Sequence, residues 1–522
     1  MNIVQLNTVN LGDNIIVKSS GGSTPSKTVS DVTFYDCDGT VLYGYTKEGF
    51  LKLANMPALP ERKGLICQGW NWDLADAVDY VSKYGMLNVG ATYITDDGKS
   101  RFYVRMRGFL NMQLRISQSI PYGAVINWGD GNEETTGENL NWSYNHTYAN
   151  EGDYIITLQP INGCIWGMYF SYRDTFFGSY DPPKNPQKVY KVELGEGIET
   201  IGKLMFSYYC YNLATLTIPN GVSRINGEGV SAYGLKCLIL PKTVTVWGYK
   251  ESNSNGLSIG NGTVVCLPHG LQSELDTPSL LIEGGCESVF LPQSLGAPVT
   301  LQNGVCKRVV AKGVTVNNGG SLIHGTLLEG VTSIGSSAFS KCYSLASINI
   351  PEGVTNIGSS AFSNCYSLAS INIPEGVPNI ESSAFSYCYS LASINIPEGV
   401  TNIGSYAFIN CYSLASINIP EGVTNIGSSA FSNCLSLASI NIPEGVTNIG
   451  SSAFSNCSGV AFFDFSNHST IPTLGSATVF STTYGKIIVP DALYDEWIVA
   501  TNWATYASQI IKKSEWDAQQ TA

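Results

Sequence analysis

The sequence predicts a multidomain, β-rich chain with four parts in order: a small α+β module, a β-sandwich, a long repeat solenoid and a helical cap on its C-terminal end. Three observations predict it. Prolines at 351, 374, 397, 420 and 443 fall at strict intervals of 23 inside near-verbatim copies of one segment. Residues 108 to about 180 alternate apolar and polar with the period of a strand. At roughly 100–200 residues per domain, 522 residues call for three or four folding units.

Composition narrows the function. Asp, Glu, Lys and Arg make up 13% of the chain, where about 25% is usual. Ser, Asn, Thr and Gly therefore supply the polar surface, which suits a cytosolic enzyme poorly. The 28 Lys and Arg against 41 Asp and Glu give a net charge of −13. That field repels phosphate backbones, so nucleic acid is excluded as a partner.

Residues 1–30 read as an N-terminal arm, because Ser19 to Ser26 is a Ser/Gly/Thr/Pro stretch that cannot pack. In the α+β module, 31–107, strands Val32–Tyr35 and Val41–Tyr45 flank the turn Asp36-Cys37-Asp38-Gly39-Thr40, and a short helix runs from Lys47 to Ala54. Leu74, Ala77, Val78 and Val81 recur at helical spacing after Asp73, which predicts an amphipathic helix to Tyr84. Asp97-Gly98 predicts a hairpin between Ala91–Ile94 and Arg101–Met106.

In the sandwich, 108–180, Asn127-Trp128-Gly129-Asp130-Gly131 is followed by His146-Thr147-Tyr148 and by Gly152-Asp153-Tyr154. This resembles the PKD family of immunoglobulin-like β-sandwiches, although the Phe common between Trp and Gly is missing. The resemblance implies a Trp and Tyr buried between sheets and a spacing or binding role. Residues 181–187, with Pro182, Pro183 and Pro186, read as a stiff linker.

From 188 to 465 the chain repeats itself, and residues 466–522 supply the last coils and the cap, a helix around Ala492 to Ala500 with Trp497 and Trp503. About fourteen coils, at roughly 4.8 Å per stacked strand, make a rod on the order of 60 Å. Leu368, Ile371, Ile373, Val377, Ile380, Ala384, Phe385 and Cys388 are the inward positions of one coil. This cadence resembles the BspA-like bacterial leucine-rich repeats, which implies a curved solenoid and a role on bacterial surfaces in binding host matrix or other cells. Cys342, Cys365, Cys388, Cys411, Cys434 and Cys457 share the 23-residue interval and read as free, buried thiols of the repeat core.

Identical positions stack into ladders. Ser370 and Asn372 flank an inward Ile371, so Asn349, Asn372, Asn395, Asn418 and Asn441 line an exposed sheet face suited to a glycan, or else satisfy one another as an amide ladder. Tyr343, Tyr366, Tyr389 and Tyr412 form an aromatic row, and Glu329, Glu352, Glu375, Glu398, Glu421 and Glu444 an acidic one. The Asn and Tyr rows are the candidate ligand-binding residues. No catalytic residue, metal site or cofactor is expected. His146, His269, His324 and His468 lie far apart and read as structural.

Met1 to Gly22 lacks a basic stretch followed by an apolar one, and nowhere do about 18 apolar residues run together, so neither a Sec leader nor membrane insertion is expected. An adhesive protein without a leader fits a virion released by lysis, and the module resembles leading modules of gut Bacteroidetes phage and prophage tail proteins. That resemblance rests on Asp31-Val32-Thr33-Phe34-Tyr35-Asp36-Cys37-Asp38-Gly39-Thr40 and Gln68-Gly69-Trp70-Asn71-Trp72. The first functional reading is thus a non-enzymatic virion protein. Its module would meet other virion proteins, its solenoid would meet a bacterial surface glycan or protein, and a homo-oligomer is allowed. The alternative is a BspA-like adhesin of a bacterial cell surface. A second alternative is a phosphatase in which Asp36 attacks phosphorus and Asp38 acts as acid and base, since Asp-x-Asp-Gly-Thr resembles the nucleophile loop of haloacid dehalogenase-type phosphatases.

Overall fold

The structure is a computed structural model. It describes residues 30–107, 110–119, 123–136, 142–161, 164–170, 189–201, 212–225, 230, 234–247, 258–259, 264–273, 280–282, 288–295, 298–302, 306, 308–311, 313–317 and 322–521. The arm before residue 30 and the Pro-rich linker lie outside these residues. The chain divides into two compact units, Met1–Ala311 and Lys312–Ala522.

In the first unit, β1 (Val32–Tyr35) and β2 (Val41–Tyr45) form an antiparallel pair at the predicted bounds. The helix after them is shorter than expected: α1 (Lys47–Phe50) starts at Thr46, whose hydroxyl caps Gly49 N at 3.1 Å. Next come β3 (Leu65–Trp70), α2 (Leu74–Tyr84) and β4 (Leu87–Thr95), and the sheet order is β2-β1-β4-β3. Asp73 stands at the N-cap of α2 without a capping bond and instead meets Lys242 at 3.0 Å. Gly85 ends the helix at φ 80°, a left-handed turn that glycine adopts without strain.

The expected hairpin across Asp97-Gly98 does not form. β5 (Ser100–Met106) leaves β4 and pairs antiparallel with β10 (Gly152–Pro160) over seven residue pairs. A turn signal is local, whereas partner choice is decided by burial. Ser100, Phe102, Val104 and Met106 are buried, and their face completes the core of the next sheet.

That sheet also holds β7 (Ala124–Asn127) and β8 (Glu133–Thr135), while β6 (Asn111–Ser119), β9 (Trp142–Thr147) and β11 (Cys164–Phe170) form a second antiparallel sheet. Trp128 is buried at the end of β7. His146 of β9 stacks on it at 4.9 Å, and Tyr148 OH donates to its carbonyl at 2.9 Å. β12 (Val189–Glu193) then pairs with β5 on one side and, in parallel, with Thr215–Thr217 on the other. One sheet thus runs from the sandwich into the first coil.

The module packs on the next coils. Strands Cys237–Ile239, Val264–Cys266 and Ser288–Phe290 are buried on both faces, and Tyr35 joins Cys237, Ile239, Val264 and Cys266 in one apolar cluster. Gly90 is required here, because a Cβ on it would lie 2.5 Å from Ile239 Cγ2. Buried Asn71 donates to the carbonyls of Leu240 (3.1 Å) and Cys266 (3.0 Å) and accepts from Gly90 N (2.8 Å). Asn88 reaches Ser288 Oγ at 2.8 Å, Trp72 Nε1 donates to Leu267 O at 2.6 Å, and Tyr80 OH donates to Leu291 O at 2.7 Å. These side chains satisfy carbonyls that would otherwise be buried without partners.

In the second unit the solenoid follows the repeat. All the inward positions predicted for the coil from Leu368 to Cys388 are buried. Phe339, Phe362, Phe385, Phe408, Phe431, Phe454 and Phe480 stack in turn with centroids 5.1–5.7 Å apart. The six repeat cysteines are free. Cys388 Sγ bonds to Phe362 O at 3.3 Å and Cys411 Sγ to Phe385 O at 3.2 Å, so each thiol ties its coil to the one before.

The cap differs from the single helix expected. α3 (Tyr494–Trp497) is one turn, Ile510–Lys512 adds a parallel strand beside Lys486–Val489, and α4 (Lys513–Thr521) follows. Between them, side chains take the backbone groups the last coil leaves open. Asn502 Nδ2 donates to Leu474 O (2.8 Å), Trp503 Nε1 to Pro472 O (2.8 Å) and Gln509 Nε2 to Thr483 O (3.1 Å). Polar tips on buried aromatic bodies close an edge that would otherwise recruit another strand.

Candidate functional site

The Asp36 carboxylate is held by the protein in a way that does not suit a phosphatase nucleophile. The carboxylate is 1% exposed; Oδ1 accepts from Cys37 N at 2.7 Å and Tyr93 OH at 2.8 Å, and Oδ2 accepts from Arg62 Nε at 2.8 Å and from its Nη2. Every bonding direction is taken by the protein, so no lone pair is free to attack phosphorus. Asp38, the partner acid, is held by Arg62 at 3.1 Å and by Thr40 N at 2.9 Å. The turn sits between antiparallel strands. Its role is to tie β1 to β4 and to the loop that carries Arg62.

The histidines are structural anchors. His146 Nε2 meets Asp130 Oδ2 at 2.7 Å, His324 Nδ1 meets Ser347 Oγ at 2.8 Å, buried His468 meets Ile442 O at 3.1 Å, and His269 packs edge-on to Trp72. Among the described residues no group of three or more His, Cys, Asp or Glu is placed to hold a metal ion, and no helix is long and apolar enough to cross a membrane.

The repeat ladders form a continuous outer surface. In register, Ser370, Ile371 and Asn372 face Ser393, Ile394 and Asn395, with Ile inward and the other two outward. Asn349, Asn372, Asn395, Asn418 and Asn441 are all exposed. None of them forms a side-chain hydrogen bond within the described residues. Two other asparagine rows do so instead. Asn425 Nδ2 donates to Asn402 Oδ1 at 2.7 Å and Asn448 to Asn425 at 2.5 Å. Asn433 donates to Asn410 at 2.7 Å and Asn456 to Asn433 at 2.6 Å. The self-satisfying amide ladder is real, but it belongs to these rows and leaves the outer Asn row open.

Tyr343, Tyr366, Tyr389 and Tyr412 stack with centroids 4.8, 4.6 and 5.0 Å apart and edges to solvent. Sequence reasoning missed two neighbours. Tyr387 and Tyr406 are 37% and 46% exposed, and Tyr387 meets Tyr389 edge-on at 6.2 Å. Both have φ 61°. The signal was present, since they are the copies in which Tyr replaces the Asn or Ser of the other coils.

Electrostatics are one-sided. Between residues 342 and 485 the chain carries Glu352, Glu375, Glu381, Glu398, Glu421, Glu444 and Asp464 and no Lys or Arg. Burial pushes the Cys388 and Cys457 thiols up to about 12, so the thiol ladder is inert at neutral pH.

The second unit is thus a parallel β-solenoid with one bare, hydrogen-bonding face. The family model of the BspA type leucine rich repeat region matches in 6 copies, over residues 184–255, 317–435 and 379–495. The C-terminal half of the chain is of the BspA-like leucine-rich-repeat family. Among solved structures, a leucine-rich repeat protein from Bacteroides ovatus is similar at 18% identity and a TM-score of 0.36, over 67% of this chain and 95% of that one. A leucine rich cell surface protein from Faecalibacterium prausnitzii is similar at 22% identity and 0.25, over 68% and 92%. The pneumococcal vaccine antigen PcpA is similar at 14% and 0.30, over 62% and 84%. No curated protein matches the chain.

Proposed function

We propose that this chain is a non-enzymatic adhesive protein displayed on a bacterial cell surface, whose solenoid binds a surface protein or glycan of another cell. The observation that carries this reading is the open outer face. Its Asn side chains are presented coil after coil without a side-chain partner among the described residues, and the same coils carry a solvent-facing tyrosine row. Amide, hydroxyl and aromatic groups at one fixed spacing recognise extended, repetitive partners. The BspA-type repeats favour the cell surface over the virion, for which the comparisons offer no support. In this reading the sandwich, with its PKD-like motif, acts as a spacer.

The test is binding of the full-length chain to panels of epithelial and bacterial cells by flow cytometry. The wild type is compared with a variant carrying Asn349, Asn372, Asn395, Asn418 and Asn441 all changed to Ala. Saturable binding that falls in the variant at an unchanged melting temperature supports the reading. Equal binding by both, or by neither, contradicts it.

A further inference from the structure

The coils from Ser347 to Cys434 are verbatim copies except at Pro378, Glu381, Tyr387, Tyr406 and Ile409, and these departures fall in two successive coils. They replace Thr, Gly, Asn, Ser and Ser respectively. Copies arising by duplication start alike, so a cluster of departures marks a place where this surface does something the other coils do not. Two of the changes work against the backbone. Each coil imposes a left-handed conformation at these two positions, filled in most copies by Asn or Ser and at the Tyr387-equivalent position also by Lys341 and Thr482, and a bulky Tyr there is an outlier for its residue type. Tyr387 and Tyr406 nevertheless hold φ 61° and turn large rings toward solvent. Strain at an exposed aromatic points to function rather than packing.

Four of the departures lie on neighbouring backbone of the two coils. Tyr387 N donates to Ile409 O at 2.8 Å, and Ile409 N donates to Tyr406 O at 3.3 Å. Tyr387 meets Tyr389 edge-on, and Tyr389 stacks on Tyr412 at 5.0 Å. The Glu381 backbone lies 2.8 Å from where a Cβ on Gly404 would sit, two residues before Tyr406. The changes therefore add aromatic rings and one carboxylate to a wall that has no basic side chain of its own.

We propose, building on the adhesive reading above, that Tyr387, Tyr389, Tyr406 and Tyr412 with Glu381 form the contact centre for a basic, Lys/Arg-rich segment of a partner protein. Charge complementarity selects this occupant. A guanidinium or ammonium gains from tyrosine faces and from the carboxylate, while the uniformly acidic stack repels a polyanion. Tyrosine also carries much contact area for little lost rotamer freedom.

The test uses the full chain and a labelled Lys/Arg-rich peptide at physiological salt, with an uncharged glucan and heparin as comparators. The double variant Tyr387→Asn, Tyr406→Ser restores the residues of the other coils and leaves the charge unchanged. Peptide affinity is expected to fall about tenfold or more, with an unfolding midpoint no lower than the wild type's, and Glu381→Gly is expected to give part of that loss. Unchanged peptide binding in the double variant would show attraction to diffuse acidity and overturn the proposal. Binding of the glucan in place of the peptide would also overturn it. If the peptide result holds but no cell binds the protein, the adhesive reading falls and the basic-peptide site stands. If cells bind wild type and double variant equally, the site falls and the adhesive reading stands.

Discussion

The same outward strand positions carry opposite chemistry in two regions of the molecule. In Cys237–Ile239, Val264–Cys266 and Ser288–Phe290 the outward side chains include Cys237, Ile239, Val264, Cys266 and Phe290, all buried beneath the N-terminal module. In Ser347–Asn349, Ser370–Asn372 and Ser393–Asn395 they are Ser and Asn, all exposed. The coil core is alike in both. The outward positions of a coil can thus be covered or open, depending on two residues per coil: the module covers them in the first unit, and in the second they are exposed.

Exchanging the two chemistries should have very unequal costs. Ile239→Asn places an unpaired amide beneath Gly90 and removes a packed side chain, and should cost about 2–5 kcal/mol. The mirror change, Asn372→Ile, should stay within about 0.5 kcal/mol, because no described residue bonds the exposed Asn372 side chain. Chemical denaturation of the two variants checks both; equal losses would mean that the faces are covered alike. Asn71→Leu comes next. It removes the donor to Leu240 and Cys266 and the acceptor for Gly90, and should cost about 2–3 kcal/mol, mostly as buried groups left unpaired.

A smaller effect separates core from surface by pH. Burial pushes the Cys388 and Cys457 thiols up to about 12 in the folded chain, above the ordinary thiol value of about 9 that the unfolded chain keeps. A raised acid favours the fold fully below the unfolded value, and the advantage is lost as pH rises from there toward the folded one. The melting temperature of the second unit should therefore hold up to about pH 9 and fall above it, and Cys388→Ala should flatten part of that fall without removing it. A small gain is also expected: Tyr387→Asn should raise stability by about 0.5–1 kcal/mol, because Asn adopts the left-handed conformation more readily than Tyr. A loss of stability instead would mean that Tyr387 serves packing.

The repeat core was legible because its signal is periodic. Leu368 to Cys388 are inward by spacing alone, and the local pair Val32–Tyr35 with Val41–Tyr45 is bounded by its own turn. β5 was not legible, since Asp97-Gly98 announces a turn but cannot say that Phe102 and Val104 complete a different sheet. The docking of the module had a trace in the apolar Cys237/Ile239 and Val264/Cys266 pairs just before Pro241 and Pro268. Its anchors, Asn71 and Asn88, had none, because a buried amide looks like any surface asparagine in sequence. All three asparagine rows keep the 23-residue interval, one of them interrupted by Tyr387, so only side-chain geometry separates the two that bond internally from the one left open.

The most direct test of this contrast between covered and open coils is thiol labelling of the folded chain with a maleimide, read peptide by peptide. Cys237 and Cys266 occupy outward positions of the covered region, and the variant Asn372→Cys places a thiol at the matching position of the open one. Residue 372 of that variant should react at once, while Cys237 and Cys266 stay unmodified until the protein unfolds. Labelling of Cys237 and Cys266 at the same rate as position 372 would contradict it.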